Sequence, residues 1–274
     1  MPEHQLAETW RNVFLDITKG DAPCAVLLSN GADSNAMLAA LLRNGRKPAV
    51  VSFRRADVFS KDWRAARATA RKHNLTFHDL PLPVSKQAVE RDVRFAIGVG
   101  FRGKADIECG SALVKAIDVS ILLGAKQIYS GLAVDKRFGL QKRIQMDARN
   151  GKGDDAEWLD EYRATKVVAK QVLILEEYAA ARGVSFISAG TDERLIESVK
   201  GWSWNQLNKP HVKMPLRDAF PEMRQWGTSN QHVNFNVGDS GIAEMYEALL
   251  DTDLNIHGWK STVGIYNAMV KGTI

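Results

Sequence analysis

Ser29-Asn30-Gly31-Ala32-Asp33-Ser34 combines residue types that suit binding of a pyrophosphate. Hydroxyls from Ser29 and Ser34 can meet phosphate oxygens, and a glycine at 31 lets backbone N–H groups approach them closely. A helix starting directly after the loop would add a field at its N-terminus that favours negative charge. Asp33 could hold Mg²⁺ there, since that ion takes one or two carboxylates plus phosphate oxygens. The same residues also suit an ordinary helix start, with Asp33 or Ser34 as the cap. The loop is not a Walker loop, because no GxxxxGK(S/T) occurs, and it lacks the GxGxxG spacing of dinucleotide-binding turns.

Cys24 to Leu28 ahead of the loop is a short apolar run that predicts a buried strand, and the apolar spacing from Ser34 to Leu42 predicts a helix. Strands are expected next over Ala49–Phe53, Thr76–Leu80 and Gln127–Tyr129, with helices over Lys61–His73 and Ser111–Leu123. Leu6, Trp10, Val13, Phe14 and Ile17 fall on one side of an N-terminal helix that should pack on the main domain. Alternating strands and helices imply a parallel sheet with helices on its faces. Gly151, Gly153 and Asp154 form a polar break, beyond which helical patterns run from Glu157 to Arg182 and from Ile242 to Leu250. The expected division is an α/β core over 1–148 and a mostly helical part over 149–274 that completes the site. The stretch from Gly201 to Trp226, rich in Trp, Asn and Pro, reads as an irregular loop near a site.

At 274 residues and 45% hydrophobic content the chain can bury a sizeable core, which excludes disorder as its main description. Its longest apolar runs, Ile121–Ala125 and Val172–Leu175, are far below the roughly 20 residues that span a bilayer, so no membrane span is expected. The first residues, Met1-Pro2-Glu3-His4, do not have the pattern of a secretory signal, and a cytoplasmic location is the expectation. Cys24 and Cys109 are the two cysteines, with no CxxC, so a disulfide framework and a Cys-based metal site are both excluded and both thiols are expected to be buried. His73 and His257 on helical patterns, and His211 and His232 in the irregular part, have no carboxylate spacing that suggests metal ligation. The net charge is +5, but residues 51–150 hold 19 Lys and Arg against 10 Asp and Glu, a net of +9. That excess could draw a nucleic acid, or Arg64, Arg67 and Arg71 could form the solvated face of a helix whose other face carries Trp63, Ala66 and Ala70.

The loop at 29–34 resembles the SGGxDS signature of the PP-loop ATP pyrophosphatases, with Asn30 in place of the first glycine. The likeness is closer to the synthetase domain of asparagine synthetases and the related β-lactam synthetases. Ser130-Gly131-Leu132-Ala133-Val134-Asp135-Lys136-Arg137-Phe138-Gly139 is similar to that family's SGxGADExFGG segment, and Lys213-Met214-Pro215-Leu216-Arg217-Asp218-Ala219-Phe220 to its KxxLRxAF. Weaker echoes are His78, ending the third strand, and Asp192 with Leu195, Ile196 and Glu197. The resemblance covers about residues 24–220 in the family's order. It implies a HUP-type, adenine nucleotide alpha hydrolase-like core that binds ATP. Ser29, Asn30, Gly31, Asp33, Ser34 and Gly131 would then face the phosphates, with Ser52 and Phe53 beside the adenine. Asp33 and Asp135 would share Mg²⁺, and Lys213, with Arg217, would offset charge on the phosphates. Taken singly, Asp135 also suits a turn or cap, and Lys213 with Arg217 a solvated helical face.

The reaction implied is attack of a carboxylate on the α-phosphorus of ATP, loss of pyrophosphate, and displacement of AMP by an amine. Residues before the first strand are too few for the family's glutaminase domain, so the amine is expected free or from a partner. Leu132 and Lys136 stand where the family has acidic residues, the first of them its candidate base; Asp106, Glu108 and His78 are the alternatives. Pro221 and Trp226-Gly227-Thr228-Ser229-Asn230 also depart from the family and imply a changed acceptor pocket. Trp202 and Trp204 could line that pocket or belong to the core. Two other functions stay open: adenylation of a nucleobase carbonyl in nucleic-acid modification, with the +9 region as docking surface, and a degenerate nucleotide-binding partner protein. Oligomeric state is open.

Overall fold

A computed structural model of the chain describes residues 3–166, 170–227 and 241–274. Helix α1 (Glu3–Ile17) precedes β1 (Cys24–Leu27), α2 (Ala32–Arg43), β2 (Ala49–Arg55), α3 (Lys61–Lys72), β3 (Phe77–Leu82), α4 (Lys86–Val99), α5 (Lys104–Leu122) and β4 (Gln127–Ser130). Two short helices follow, α6 (Val134–Arg137) and α7 (Lys142–Asp147). Next come α8 (Ala156–Lys166), α9 (Lys170–Ala180), β5 (Ser185–Ser188), α10 (Glu193–Ser198), α11 (Trp204–Asn208), α12 (Met214–Ala219), α13 (Ile242–Glu247) and α14 (Thr262–Lys271). The five strands form one parallel sheet in the order β3-β2-β1-β4-β5. This is the α/β, parallel-sheet fold class expected, with a mostly helical C-terminal part.

Both faces of the sheet are buried, as parallel sheets require. Along β1 and its exit, Val26 and Leu28 enter one core with Trp10, Phe14, Met37, Phe138 and Phe220, while Ala25 and Leu27 enter the other with Val93, Ile117, Tyr246 and Ile265. The two cores therefore draw on residues from both ends of the chain. Helix α1 lies in the first core as its spacing predicts, with Trp10 against Phe138 at 4.7 Å and Phe14 against Phe220 at 5.6 Å between ring centroids.

Chain order along the sheet reverses at β1. From β1 the chain steps outward through β2 to β3, then returns to the other side of β1 as β4. The loops leaving β1 and β4 lie side by side at the carboxyl ends of the strands, the place where open α/β sheets bind ligands. Strand β2 runs on past its last pair with β1, Leu27 with Val51, so Ser52 and Phe53 project beyond the end of β1 on that edge.

Several elements differ from the sequence expectation. Helix α5 begins seven residues before Ser111; Gly110 lies within it because the Phe101 ring sits 2.6 Å from where its Cβ would be. Helix α4 and strand β5 were not expected. Within Gly201–Trp226 the chain forms α11, α12 and a 3-10 turn (Pro221–Trp226) rather than an irregular loop. The polar break is pinned, with Asn205 N donating to the Gly153 carbonyl at 2.8 Å and Asn205 Nδ2 to Asp154 at 2.7 Å. Among the described residues, no helix is long and apolar enough to cross a membrane.

Cys109 is buried, whereas Cys24 is only half-buried at the start of β1, contrary to expectation; neither forms a disulfide. Burial pushes the Cys109 thiol well above its ordinary value, with Glu108 and Asp106 adding to the shift. Since the thiolate is the reactive form, Cys109 in the native protein should react with iodoacetamide at least about 100-fold more slowly than in the unfolded chain. Peptide mass spectrometry over time checks this; labelling of Cys109 at the unfolded rate would contradict its placement.

Candidate functional site

The loop after β1 turns sharply into α2. Asn30 takes a left-handed backbone conformation, φ 58°, which asparagine tolerates better than most residues. Its side chain is buried: Nδ2 donates to the Gly227 carbonyl at 3.1 Å, and its carbonyl and Oδ1 each accept from Asn35 Nδ2 at 3.2 Å. Asn30 is thus a brace between the loop and the 221–227 turn rather than an open backbone position. Asn30→Ala should lower the unfolding free energy by about 2–3 kcal/mol, from lost buried hydrogen bonds and left-handed strain. Thermal unfolding read against wild type checks it, and an unchanged midpoint would contradict the brace.

Neither Asp33 nor Ser34 caps α2. Gly31 occupies the cap position without a side-chain hydrogen bond. Ser34 Oγ instead donates to the Gly31 carbonyl at 3.2 Å and accepts from Ser29 N at 3.3 Å, with Ser29 Oγ also 3.3 Å away. The two hydroxyls are held side by side over the first turn of α2.

Two further segments converge on this loop. Gly131, just after β4, lies so close that a Cβ there would stand 2.6 Å from Asp33 C and Ser34 N. Lys213 arrives from the other end of the chain. It is buried at the N-cap of α12, again left-handed at φ 61°, and its Nζ donates to Asp33 Oδ2 at 2.5 Å. Asn208 fixes its backbone, accepting from Lys213 N at 3.1 Å and donating through Nδ2 to the Phe138 carbonyl at 2.9 Å. Asn208 therefore links the second and third sequence segments; no spacing rule singled it out. Arg217, one turn into α12, is buried and donates to the Val212 carbonyl at 2.8 Å, and neighbouring Asp33 partly offsets the burial that pulls its guanidinium below the ordinary value. Lys213 and Arg217 are thus not a solvated face.

Asp135 lies in α6, half-buried, where its charge acts on Arg137 and Tyr162. Arg137 is buried and anchors this turn by donating to the Gly190 carbonyl at 2.7 Å, and a Cβ on Gly190 would meet Ala133 C at 2.4 Å. Ser52 is buried on β2 beside Asp79 in the register, and Phe53 is half-buried next to it. The structure thus brings together Ser29, Asn30, Gly31, Asp33, Ser34, Gly131, Lys213 and Arg217, whereas Asp135 lies apart in α6, beyond the neighbouring strand β4, and Ser52 and Phe53 lie on the adjacent strand β2.

The three carboxyl and imidazole alternatives separate. Asp106, in the first turn of α5, faces Lys136, and burial holds its carboxyl above the ordinary carboxylate value. Glu108 is buried among the C-terminal helices, accepting from Tyr266 Oη at 3.1 Å. His78 lies near the start of β3, paired with Val51, not at the strand's end. Trp202 and Trp204 belong to the core, Trp204 Nε1 donating to the Gly139 carbonyl at 3.0 Å. Thr228, Ser229, Asn230 and His232 lie outside the described residues. Among those described, no group of three or more His, Cys, Asp or Glu could hold a metal.

No protein-family model matches the chain and no curated protein matches it. Among solved structures, the U34-tRNA thiolase NcsA from Methanococcus maripaludis with its 4Fe–4S cluster is similar over 98% of this chain and 76% of its own, at 14% identity and a TM-score of 0.41. NMN synthetase from Francisella tularensis is similar over 73% of this chain and 93% of its own, at 13% identity and a TM-score of 0.36. Likenesses this distant assign no chemistry to the chain.

Proposed function

We propose that the chain is an ATP-dependent adenylating enzyme of the PP-loop type, which joins a carboxylate substrate to an amine with release of pyrophosphate and then AMP. The observation that supports this most is the meeting of Lys213 with Asp33, which places the third sequence segment on the first. Gly131 brings the second against the same loop.

In this reading Ser29, Gly31 and Ser34 present hydroxyls and backbone N–H groups to the pyrophosphate, where the α2 N-terminus favours anions. Ser52 and Phe53 border the adenine. Lys213 and Arg217 supply the fixed positive charge that stabilises a phosphorane-like transition state. The carboxylate oxygen forms a bond to the α-phosphorus as the bond to pyrophosphate breaks; the amine then attacks the acyl carbon and AMP leaves with that oxygen.

Asp33 in the first turn of α2 and Asp135 in α6 are hard oxygen donors, and a pair of carboxylates suits Mg²⁺, which takes phosphate oxygens and water as its other ligands. Bound there, Mg²⁺ would neutralise phosphate charge. Lys213 Nζ holds Asp33, so with Mg·ATP bound there its ammonium would give up the carboxylate for a phosphate oxygen. Asp33→Ala should weaken Mg·ATP binding by at least about 10-fold, roughly 1.4 kcal/mol. Calorimetric titration checks it: equal affinities, or no ATP binding by wild type, would sink the assignment.

Asp106 is the carboxyl closest in role to the base that Leu132 does not provide. It must be ionised to take a proton from the amine, so activity should fall as pH drops through a value raised above the ordinary 3.8. In a pH profile of kcat/KM, Asp106→Asn should lower the plateau and abolish that acid limb; an unchanged limb would assign the base elsewhere.

The second reading, adenylation of a nucleobase carbonyl, is favoured by one observation, the exposed arginine row of α3.

A further inference from the structure

Helix α3 carries Lys61, Arg64, Arg67, Arg71 and Lys72 against the single acid Asp62. A helix face that needs only solubility usually interleaves acids at i,i+4 spacing; this one does not. Arg64, Arg67 and Arg71 are exposed, at i, i+3 and i+7, and span about 10 Å at 1.5 Å per residue. No ion pair or hydrogen bond joins their guanidinium groups to any described residue, whereas nearby Arg54 holds Asp79 and Arg55 holds Asp57 and Glu244. The charge on Arg64, Arg67 and Arg71 is therefore available to a ligand.

The row borders a cleft of about 660 Å³ between α3 and β3, the edge strand of the sheet. Its floor is aromatic and fixed in place. Trp63 Nε1 donates to Asp79 at 2.9 Å, the Phe77 ring meets Trp63 edge-on at 5.6 Å, and Arg67 lies over the indole at 5.5 Å. Phe59, 51% exposed, stands 5.1 Å from Trp63 with Arg54 on one face at 4.1 Å. Phe59 does not line the cleft itself but adjoins it through Trp63; exposed arginines along a groove with an exposed ring next to it are what a single strand needs, since cations track the backbone and the ring stacks a base without sequence preference.

We propose that the α3–β3 cleft binds single-stranded nucleic acid, with Arg64, Arg67 and Arg71 on successive phosphates and Phe59 stacking a base. Residues at the start of α3 lie just beyond the carboxyl end of β2, so a strand in the cleft runs toward the edge of the sheet that carries the phosphate loop. The proposal stands on the cleft alone and does not depend on the ATP chemistry.

The test is fluorescence anisotropy of the full chain with labelled single-stranded RNA and DNA 16-mers of one mixed sequence, over about 25–300 mM salt. Binding of either strand is expected, the better ligand showing whether the 2′-hydroxyl contributes. Arg64→Gln/Arg67→Gln/Arg71→Gln should lower the salt slope by roughly 2 and weaken binding at least about 10-fold at low salt, whereas the charge-matched Lys19→Gln/Lys200→Gln/Lys271→Gln should change neither. Phe59→Ala should weaken binding by about 5-fold or more with the slope unchanged. Circular dichroism establishes that each variant is folded, and Arg67→Gln alone replaces the triple variant if that one is not. Absence of binding by wild type at low salt, equal losses in the two triple variants, or binding of anionic vesicles or a phosphopeptide in preference to both strands would overturn the proposal.

Discussion

Lys213→Ala is expected to lower turnover by at least about 100-fold while leaving ATP bound. Lys213 is buried, fixed at its backbone by Asn208, and directed at Asp33 in the phosphate loop. A charge placed in advance inside a largely water-excluded site costs little reorganisation when negative charge shifts between phosphates, and loss of one such donor typically lowers kcat by about 10²–10³-fold, roughly 2.7–4 kcal/mol. Binding in the ground state is shared among the loop hydroxyls, the backbone N–H groups and the α2 N-terminus, so the dissociation constant for Mg·ATP should change by less than about 10-fold. Lys213→Arg should not restore the rate, because a forked guanidinium does not fit a site shaped for a compact ammonium. Single-turnover rates and ATP titrations on the same preparations separate the two effects. A variant that binds poorly and turns over normally at saturation would make Lys213 a binding residue instead.

Gly131→Ala should be the most damaging single-atom change in the site. The added Cβ would stand 2.6 Å from Asp33 C and Ser34 N, both backbone atoms, so no side-chain rotation relieves it. The loops after β1 and β4 must move apart, at a cost of about 1–3 kcal/mol as in other overpacked positions. Since the displaced atoms are those of the phosphate loop, ATP affinity should fall by at least about 10-fold as well. Gly190→Ala is the comparison. Its Cβ would strike Ala133 C and Val134 N, 2.4 and 2.5 Å away, so stability should drop while the Ser29–Ser34 loop keeps its shape. Chemical denaturation and ATP titration of both variants test this, and a Gly131→Ala protein with wild-type affinity would show that the loops do not need their close approach.

The sheet core was legible because β1, β2 and β4 are short apolar runs separated by helical spacing, and both faces of a parallel sheet must be apolar. Strand β5 was not, being four residues, Ser185 to Ser188, with a serine at each end. The start of α5 was hidden because it is buried almost all round and contains Gly110, so it shows little helical periodicity. At the site, residue types singled out the loop and the family resemblance pointed to Lys213, but neither pointed to the tertiary partners that fix them: Asn208 bridging Phe138 and Lys213, Asn30 reaching Gly227, and Gly190 under Ala133 have no local signature. Charge counting overstated the basic surface, since Arg54 and Arg137 in the +9 region are buried and hydrogen-bonded; α3 is where free charge remains in a row. The paired tryptophans stayed open between pocket and core for a related reason, because a Trp in a polar stretch reads the same whether its indole N–H finds a carbonyl in the core, as Trp204 does at Gly139, or faces a ligand.

The most direct measurement is the identity of the products formed from ATP and Mg²⁺ by wild type and Lys213→Ala in parallel, supplied with pooled carboxylic and amino acids plus ammonia, and separately with single-stranded RNA and DNA. AMP and pyrophosphate are expected in equal amounts from wild type, dependent on one of those pools, and at rates at least about 100-fold lower from the variant. ADP with phosphate, or bound ATP that stays intact with every pool, would contradict chemistry at the α-phosphorus and with it the role assigned to this site.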